Sequence, residues 1–150
     1  MKRFVYWFLQ LTWGVIMTLP GLIGLLFMKI SKKGKIYKNG YSYIVELNGN
    51  WGGVNLGAIS FCGNYSETYP EWFEDVRKHE YGHSIQNIIF GPFHLFLVAI
   101  PSFIRYWYQE IRSRKGLKNK PYDSIWFEGM ATKVGTKVIN KIEGAKHESL

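Results

Sequence analysis

The feature that most constrains the fold is the run from Phe4 to Met28, which contains no Asp, Glu, Lys, Arg or His. A helix rises about 1.5 Å per residue, so this run would extend about 37 Å and exceed a hydrocarbon core of about 30 Å. Pro20 and Gly21 lie inside the run and predict a kink, or a turn back into a hairpin. We therefore predict a transmembrane helix or membrane hairpin that anchors the chain through residues 1–30.

Two other interpretations of this run stay open. Lys2 and Arg3 could begin a secretory signal peptide, although the run exceeds the usual apolar length of about 7–15 residues and no small-residue cleavage site follows. A helix buried in a protein core is the other alternative.

Basic residues gather just after the run, at Lys29, Lys32, Lys33, Lys35 and Lys38. Because positive charge is retained on the cytoplasmic side of a membrane, we expect the body of the protein there.

Residues 31–150 are expected to form one domain with its own core. The chain has 150 residues and is 47% hydrophobic, which excludes a disordered protein. Cys62 is the single cysteine, so it forms no internal disulfide and is expected to be buried as an apolar residue. The net charge of +8 suits an anionic lipid surface. No nucleic-acid-binding module is recognisable, so nucleic acid is not an expected partner.

A short motif in the middle of the chain carries metal chemistry. Residues 79–83 spell His-Glu-Tyr-Gly-His, the pattern H-E-x-x-H. On a helix, positions four apart lie one above the other, so His79 and His83 can offer two ring nitrogens to one ion. Imidazole is a common Zn²⁺ ligand, and Glu80 is placed to take a proton from a zinc-bound water. The alternative is an ordinary helix that happens to carry these letters.

The residues around the motif predict a helix of about twenty residues. Pro70 follows Tyr69 as a helix start, and Gly91 with Pro92 is a stop signal. Upstream, Tyr41–Leu47 alternates in the manner of a β-strand, and Val54–Cys62 is a second strand candidate. The polar turn between them predicts that they pair as a β-hairpin. The predicted fold class is α+β, with helices beside a small β-hairpin or sheet.

A second apolar stretch follows the motif helix. Ile88–Ile104 would be only about 26 Å long as a helix, and Pro92 and Pro101 interrupt it. We therefore predict that residues 88–108 form an in-plane, re-entrant or protein-buried insertion rather than a crossing. The aromatic residues near its end, Tyr106, Trp107 and Tyr108, suit a membrane interface.

A further helix is predicted to begin near Asp123 or Ser124. Glu128 lies early on it, where the positive end of the helix dipole favours an ionised carboxylate. Glu128 is therefore the candidate third metal ligand, and Asp123 and His94 are the alternatives. Tyr122, just before this helix, is the candidate to stabilise a developing oxyanion.

The motif at residues 79–83, followed by a helix with Glu128 and Ala131 three residues later, resembles the gluzincin branch of the zincin metallopeptidases. The resemblance implies zincin-like helices beside a small sheet. It implies one Zn²⁺ per chain held by His79, His83 and Glu128, with Glu80 as general base, and hydrolysis of peptide bonds in a peptide or protein substrate. In such enzymes a strand beside the metal helix pairs with the substrate, and Val54–Phe61 is the candidate.

The chain departs from this family pattern in two places. Thermolysin-type gluzincins carry the third ligand much closer behind the second histidine, whereas here the apolar insertion separates His83 from Glu128. Thr132 and Lys133 occupy positions where an acidic residue often orients a histidine. Two other functions are therefore considered: a non-catalytic membrane protein whose metal site or histidine helix is structural, and a peripheral lipid-binding module.

Overall fold

In a computed structural model of the chain, residues 1–147 are described, and residues 148–150 at the end of the predicted domain lie outside the described part. The described residues form five α-helices and one four-stranded sheet, which confirms the α+β class. The elements in chain order are α1 (Arg3–Leu11), α2 (Val15–Ser31), β1 (Lys35–Asn39), β2 (Ser42–Glu46), β3 (Gly53–Leu56), β4 (Ile59–Cys62), α3 (Pro70–Phe90), α4 (Ile100–Arg114) and α5 (Trp126–His147).

The N-terminal apolar run folds as two helices. Within residues 1–147 no single helix is both long and apolar enough to cross a membrane. Two pairs of helices reach that length and hydropathy together, but each pair is bent. The bend between α1 and α2 is 102°, and the bend between Pro70–Phe93 and Leu95–Arg114 is 120°. The bend in the first pair falls at Gly14, whereas Pro20 stays inside α2. Gly14 lies against the Asn87 side chain, so contact with α3 determines where the chain turns.

The sheet has the strand order β1-β2-β4-β3. β1 and β2 are antiparallel, β2 and β4 are parallel, and β3 and β4 are antiparallel. The predicted hairpin between Tyr41–Leu47 and Val54–Cys62 is therefore wrong. Gly40 and Gly57, with φ of 60° and 66°, each begin a tight loop. Because glycine adopts positive φ without a steric penalty, the hairpins close at these two residues instead, joining β1 to β2 and β3 to β4.

The core lies between the sheet, α1, α2, α3 and α5. Its fully buried members include Tyr6 from α1, Val45 from β2, Ile59 from β4, Tyr81 from α3 and Ile139 from α5. The motif helix α3 therefore packs on both sides, with α5 along one face and the N-terminal helices along another. This places residues 79–83 in the interior of the molecule.

The apolar insertion at residues 88–108 does not form one continuous α-helix. α3 ends at Phe90, a 3₁₀ turn follows at Gly91–Phe93, and a π-helical segment at Leu95–Ala99 leads into α4. Pro92 and Gly91, whose φ is 52°, account for the break at the end of α3. The insertion thus returns towards α5 and carries its polar residues back to the motif helix.

Candidate metal centre

Three side chains from two helices converge on one point. His79 and His83 lie four residues apart on α3, and their Nε2 atoms are 3.1 Å from each other. Glu128, in the first turn of α5, has its Oε2 atom 3.1 Å from Nε2 of His79 and 3.2 Å from Nε2 of His83. A tetrahedral Zn²⁺ with nitrogen and oxygen ligands at about 2.0–2.1 Å has ligand atoms about 3.3 Å apart. The three residues could therefore hold one metal ion.

Hydrogen bonds at the far side of each ring leave both Nε2 atoms available. The Nδ1 atom of His83 lies 2.7 Å from the Gln86 side-chain oxygen, which only accepts, so Nδ1 carries the hydrogen. The Nδ1 atom of His79 lies 2.9 Å from the Thr132 hydroxyl, which itself donates to the Glu128 carbonyl at 3.2 Å. Each histidine thus has the tautomer of a metal ligand, held by an outer partner.

Glu128 is fully buried and hydrogen-bonded on both oxygens. Its Oε1 atom accepts a hydrogen bond of 2.5 Å from the hydroxyl of Ser102, on α4. Burial raises the pKa of this carboxyl, but the interaction with the rings of His79 and His83 outweighs burial and holds the pKa well below its usual range. The residue is therefore a carboxylate, the form in which it binds a cation.

Glu80 lies beside this group on the side of the sheet. Its side chain is 4% exposed, and its Oε2 atom has no hydrogen-bond partner among the described residues. A β-carbon on Gly53 would overlap the Glu80 carboxylate, so β3 passes directly against it. Burial raises the pKa of Glu80, and the neighbouring His83 and His79 oppose this rise. A raised carboxyl pKa suits a group that both accepts and returns a proton.

The strand beside Glu80 is an edge of the sheet. Among the described residues β3 is last in the strand order and pairs only with β4, whereas β4 lies between β2 and β3. Asn55 on β3 donates from its side chain to the Glu80 carbonyl at 3.1 Å, which fixes β3 on α3. Only the first half of the candidate substrate strand Val54–Phe61 lies in the edge strand β3. The second half belongs to β4, which has a neighbouring strand on both sides and cannot pair with a substrate.

The two alternative third ligands lie outside the group. Asp123 is exposed on a 3₁₀ turn, Tyr122–Ser124. His94 is buried, and burial together with the charge of His83 lowers its pKa to about 3. Neither belongs to the set of ligand atoms within 4.8 Å of one another, which among the described residues contains His79, His83 and Glu128.

Tyr122, the candidate oxyanion stabiliser, borders the group. Its ring lies edge-on to the His79 ring at 6.1 Å, and its hydroxyl is 3.3 Å from the Ser102 hydroxyl. Burial raises the pKa of Tyr122, so its hydroxyl keeps its proton and can donate. Arg105 donates to the Tyr122 carbonyl at 3.0 Å and fixes its position.

Three further residues complete the site, of which Thr132 occupies a position where the family pattern often has an acidic residue that orients a histidine. Gln86 and Thr132 orient the histidines, and Ser102 binds Glu128. Ser102 is a small polar residue within an apolar insertion, which is the one signal that the sequence carries for it. Cys62, by contrast, is buried as expected, and burial raises the pKa of its thiol to about 12.

Comparison of the chain with profiles of known protein families, with curated proteins and with solved structures found no match. The function therefore has to be inferred from the site itself. What the site provides is a His-His-Glu group that could hold a metal ion, a buried carboxyl beside it and a sheet edge against that carboxyl.

Proposed function

We propose that this protein is a zinc-dependent metallopeptidase anchored at a membrane through residues 1–30. The observation that carries the proposal is the triangle of ligand atoms from His79, His83 and Glu128, with sides of 3.1 to 3.2 Å. Two imidazoles and a carboxylate form the ligand set of a catalytic zinc site, which keeps its fourth position for water or substrate. Glu80, beside the triangle, is the candidate general base.

The residues of the chain have separate tasks in this reaction. Zinc, when bound, supplies Lewis acidity and lowers the pKa of a coordinated water towards about 7. Glu80 takes a proton from the attacking water and returns it to the leaving amine nitrogen as the peptide C–N bond breaks. The Tyr122 hydroxyl donates a hydrogen bond to the oxygen of the attacked carbonyl. Gln86 and Thr132 keep the histidines in their ligand tautomers.

The edge strand β3 supports a peptide as the substrate. An edge strand has free backbone donors and acceptors, and an extended peptide can add to it as a further strand. Gly53 has no side chain, so a peptide bound along β3 passes close to the Glu80 carboxylate. The substrate class is therefore an extended segment of a peptide or protein.

The outer faces of α1 and α2 support the membrane anchor. Large apolar side chains point outward along both helices, and Phe4, Phe8, Ile23, Phe27 and Ile30 are each more than half exposed. Exposed apolar surface on this scale marks a membrane or protein interaction site. The 102° bend between the helices suits a re-entrant hairpin rather than a straight crossing.

Zinc stoichiometry tests the metal site. Elemental analysis of the detergent-purified full chain is expected to give one zinc per chain in the wild type and in Glu80→Gln. His83→Ala and Glu128→Ala remove a ligand and are expected to lose the metal or bind it at least about tenfold more weakly. Asp123→Asn, an exposed carboxylate outside the group, is the matched control and keeps the metal. A wild type that binds no zinc under zinc-replete conditions would refute the proposal.

Peptide hydrolysis then separates the enzyme from a structural zinc site. The deep burial of the ligands, whose side chains are 18%, 7% and 0% exposed, also suits a structural metal. Cleavage of a peptide mixture is followed by mass spectrometry for wild type and Glu80→Gln. A general base contributes about 10²–10⁴-fold, so Glu80→Gln is expected to lose at least about 10²-fold in rate while keeping its zinc. Equal cleavage rates for the wild type and Glu80→Gln would show that Glu80 does not act as the general base.

A further inference from the structure

Helix α4 exposes an apolar face that the described residues leave uncovered. None of its fifteen residues is buried. Large side chains recur along it at steps of three and four, which places them on one face. These side chains are between 41% and 64% exposed, and they are Ile100, Phe103, Ile104, Trp107, Tyr108 and Ile111. A helix face of this kind in water requires a partner.

The opposite face of α4 is basic and holds the following loop. Arg105 donates to the Pro121 carbonyl at 2.8 Å, and Arg112 donates to the Lys118 carbonyl at 2.7 Å. Gln109 donates to the Lys120 carbonyl at 3.0 Å. The guanidinium groups are thus bonded to uncharged carbonyl oxygens, and their positive charge is not neutralised by these bonds.

Between α4 and this loop lies a cleft of about 330 Å³. Its charged lining consists of four cations, Arg105, Arg112, Lys118 and Lys120, with no acidic residue. Within residues 1–147 none of these four forms an ion pair with a carboxylate. Four unpaired cations around one cleft attract an anion strongly. The cleft therefore suits a phosphate-bearing group.

We propose that α4 and this basic cleft bind the surface of a bilayer that contains anionic phospholipids. A helix with Trp, Phe and Ile on one face and Arg and Lys on the other is typical of helices that lie in the membrane interface. The apolar face enters the acyl boundary, and the cleft takes a lipid headgroup phosphate. Long basic side chains reach that level because their aliphatic stems lie along apolar surface.

The apolar surface also continues towards the N-terminal helices. The Trp13 ring, at the bend between α1 and α2, lies against Gly91 at the start of the insertion. Phe93 and Phe96, which follow in the insertion, are 62% and 66% exposed. Exposed apolar residues thus follow the chain from the contact with Trp13 to the start of α4.

Lipid binding by α4 would place the metal centre at the membrane face. Ser102 on α4 donates to Glu128, and Arg105 on α4 holds Tyr122 beside His79. A helix that contacts lipid on one side and these residues on the other brings the site within reach of peptide segments at the bilayer surface. The lipid-binding proposal does not rest on peptidase activity and is tested in Glu80→Gln protein.

The test measures flotation of the full-length Glu80→Gln protein with vesicles. Because residues 1–30 are proposed to bind either kind of vesicle, the readout is the gain in affinity from phosphatidylcholine vesicles to vesicles of phosphatidylcholine and phosphatidylglycerol. A cleft variant, Arg112→Gln with Lys118→Gln and Lys120→Gln, is expected to lose at least about tenfold in affinity for the anionic vesicles. The matched control removes the same charge from the exposed side of α5, by Lys133→Gln, Lys137→Gln and Lys141→Gln. The control is expected to change affinity less than about threefold.

Two further measurements keep the test decisive. A charge-conserving variant, Arg112→Lys with Lys118→Arg and Lys120→Arg, keeps the affinity for anionic vesicles if charge is responsible, even where the neutral variant folds poorly. An environment-sensitive dye on Ile104→Cys is expected to shift to the blue with anionic vesicles, and a dye on Lys137→Cys is not.

Three outcomes would overturn the proposal. Equal losses in the cleft and α5 variants would show a general charge effect. Displacement by inorganic phosphate beyond that by chloride at equal ionic strength would make the cleft a site for soluble anions. A blue shift at position 104 that depends on protein concentration, without vesicles, would show that a second copy of the chain covers α4.

Discussion

Gly82 lies against the backbone of Ala131, so close that a β-carbon on Gly82 would overlap the Ala131 carbonyl. Gly135, one turn further along α5, lies in the same way against the Lys78 carbonyl. Glycine permits such close approach of two backbones. The two contacts fix the spacing of α3 and α5, and hence the distance from the two histidines to Glu128.

Gly82→Ala is therefore expected to separate the helices and weaken the metal site. Overpacking a tight contact costs about 1–3 kcal/mol of unfolding free energy. Zinc affinity is expected to fall at least about tenfold, because the Glu128 carboxylate moves away from both Nε2 atoms. Chelator competition measures the affinity, and denaturant unfolding measures the stability.

The control for this change is Gly144→Ala, since a β-carbon there meets nothing within 4 Å. In a helix interior this substitution is expected to stabilise by up to about 1 kcal/mol and to leave zinc affinity unchanged. If Gly82→Ala bound zinc as the wild type does, the close contact would not determine the ligand spacing.

The partners of the ligand histidines give a second prediction. Thr132→Val removes the hydroxyl that accepts from Nδ1 of His79 and keeps the side-chain shape. Loss of an outer-shell partner costs about 10–100-fold in metal affinity. Thr136→Val, one turn later on α5, is the control and is expected to change the affinity less than about threefold. Equal zinc affinities of the two variants would mean that Thr132 plays no part in orienting His79.

The motif helix was predictable because its signals are local. Pro70 marks its first turn and Gly91 its end, and the structure places α3 from Pro70 to Phe90. His79 and His83 are four residues apart, so they lie on the same face of the helix whatever the helix packs against. Glu128 could be proposed because its position early on a helix is also a sequence property. The peptidase activity and the membrane location stay predictions, since neither follows from these positions alone.

The rest of the site depends on contacts between distant residues. Ser102 reaches Glu128 because the chain bends by 120° between Phe93 and Leu95. The stop signal at Gly91 and Pro92 indicates where α3 ends, but it does not indicate the direction in which the chain continues. The sheet was mispredicted for a similar reason. β2 and β4 pair in parallel, which the turn signal at residues 48–50 cannot specify because parallel strands are not joined by a tight turn.

The carboxylate of Glu46 gives a prediction about acid stability. It accepts hydrogen bonds from the backbone N–H groups of Tyr65 and Ser66, at 2.7 and 2.6 Å, and from the Ser66 hydroxyl at 2.7 Å. Burial raises its pKa, but these bonds outweigh burial, so the pKa lies below its ordinary value of 4.5. Because the folded-state pKa is the lower one, this stabilisation is complete above pH 4.5 and is lost as the pH falls through the folded-state pKa.

Glu46→Gln is expected to lower the unfolding free energy at pH 7 by about 1–2 kcal/mol, since its amide group cannot replace the carboxylate at three donors. The difference from the wild type is expected to shrink as the pH falls below 4.5. Denaturant unfolding across this pH range checks both statements. Glu67→Gln, at an exposed ion pair with Lys35, serves as the control with little effect. A difference that grew towards low pH would contradict the assignment.

A buried polar cluster joins the N-terminal helices to the motif helix. Gln10 of α1 accepts from Asn87 at 2.7 Å and from Thr18 at 2.8 Å, and donates to the Ser84 carbonyl at 2.9 Å. All four residues are fully buried. Buried polar groups are costly unless they are bonded to one another, so the cluster holds α1 and α2 in one place on α3.

Gln10→Leu removes the acceptor shared by Asn87 and Thr18, although Asn87 still donates to the Gly14 carbonyl at 2.9 Å. The substitution is expected to cost about 1–3 kcal/mol of unfolding free energy. Thr12→Val, which removes an exposed hydroxyl bonded to its own helix, is expected to change stability by less than about 0.5 kcal/mol. In the double variant Gln10→Leu with Asn87→Leu, the cost is expected to be smaller than the sum of the single costs, because both partners of the lost bond are then apolar. Additive costs would show that the two side chains do not depend on each other. Coupling, by contrast, would show that Gln10 and Asn87 stabilise the protein as a pair, and so that contact with α1 contributes to the stability of the metal-binding helix α3.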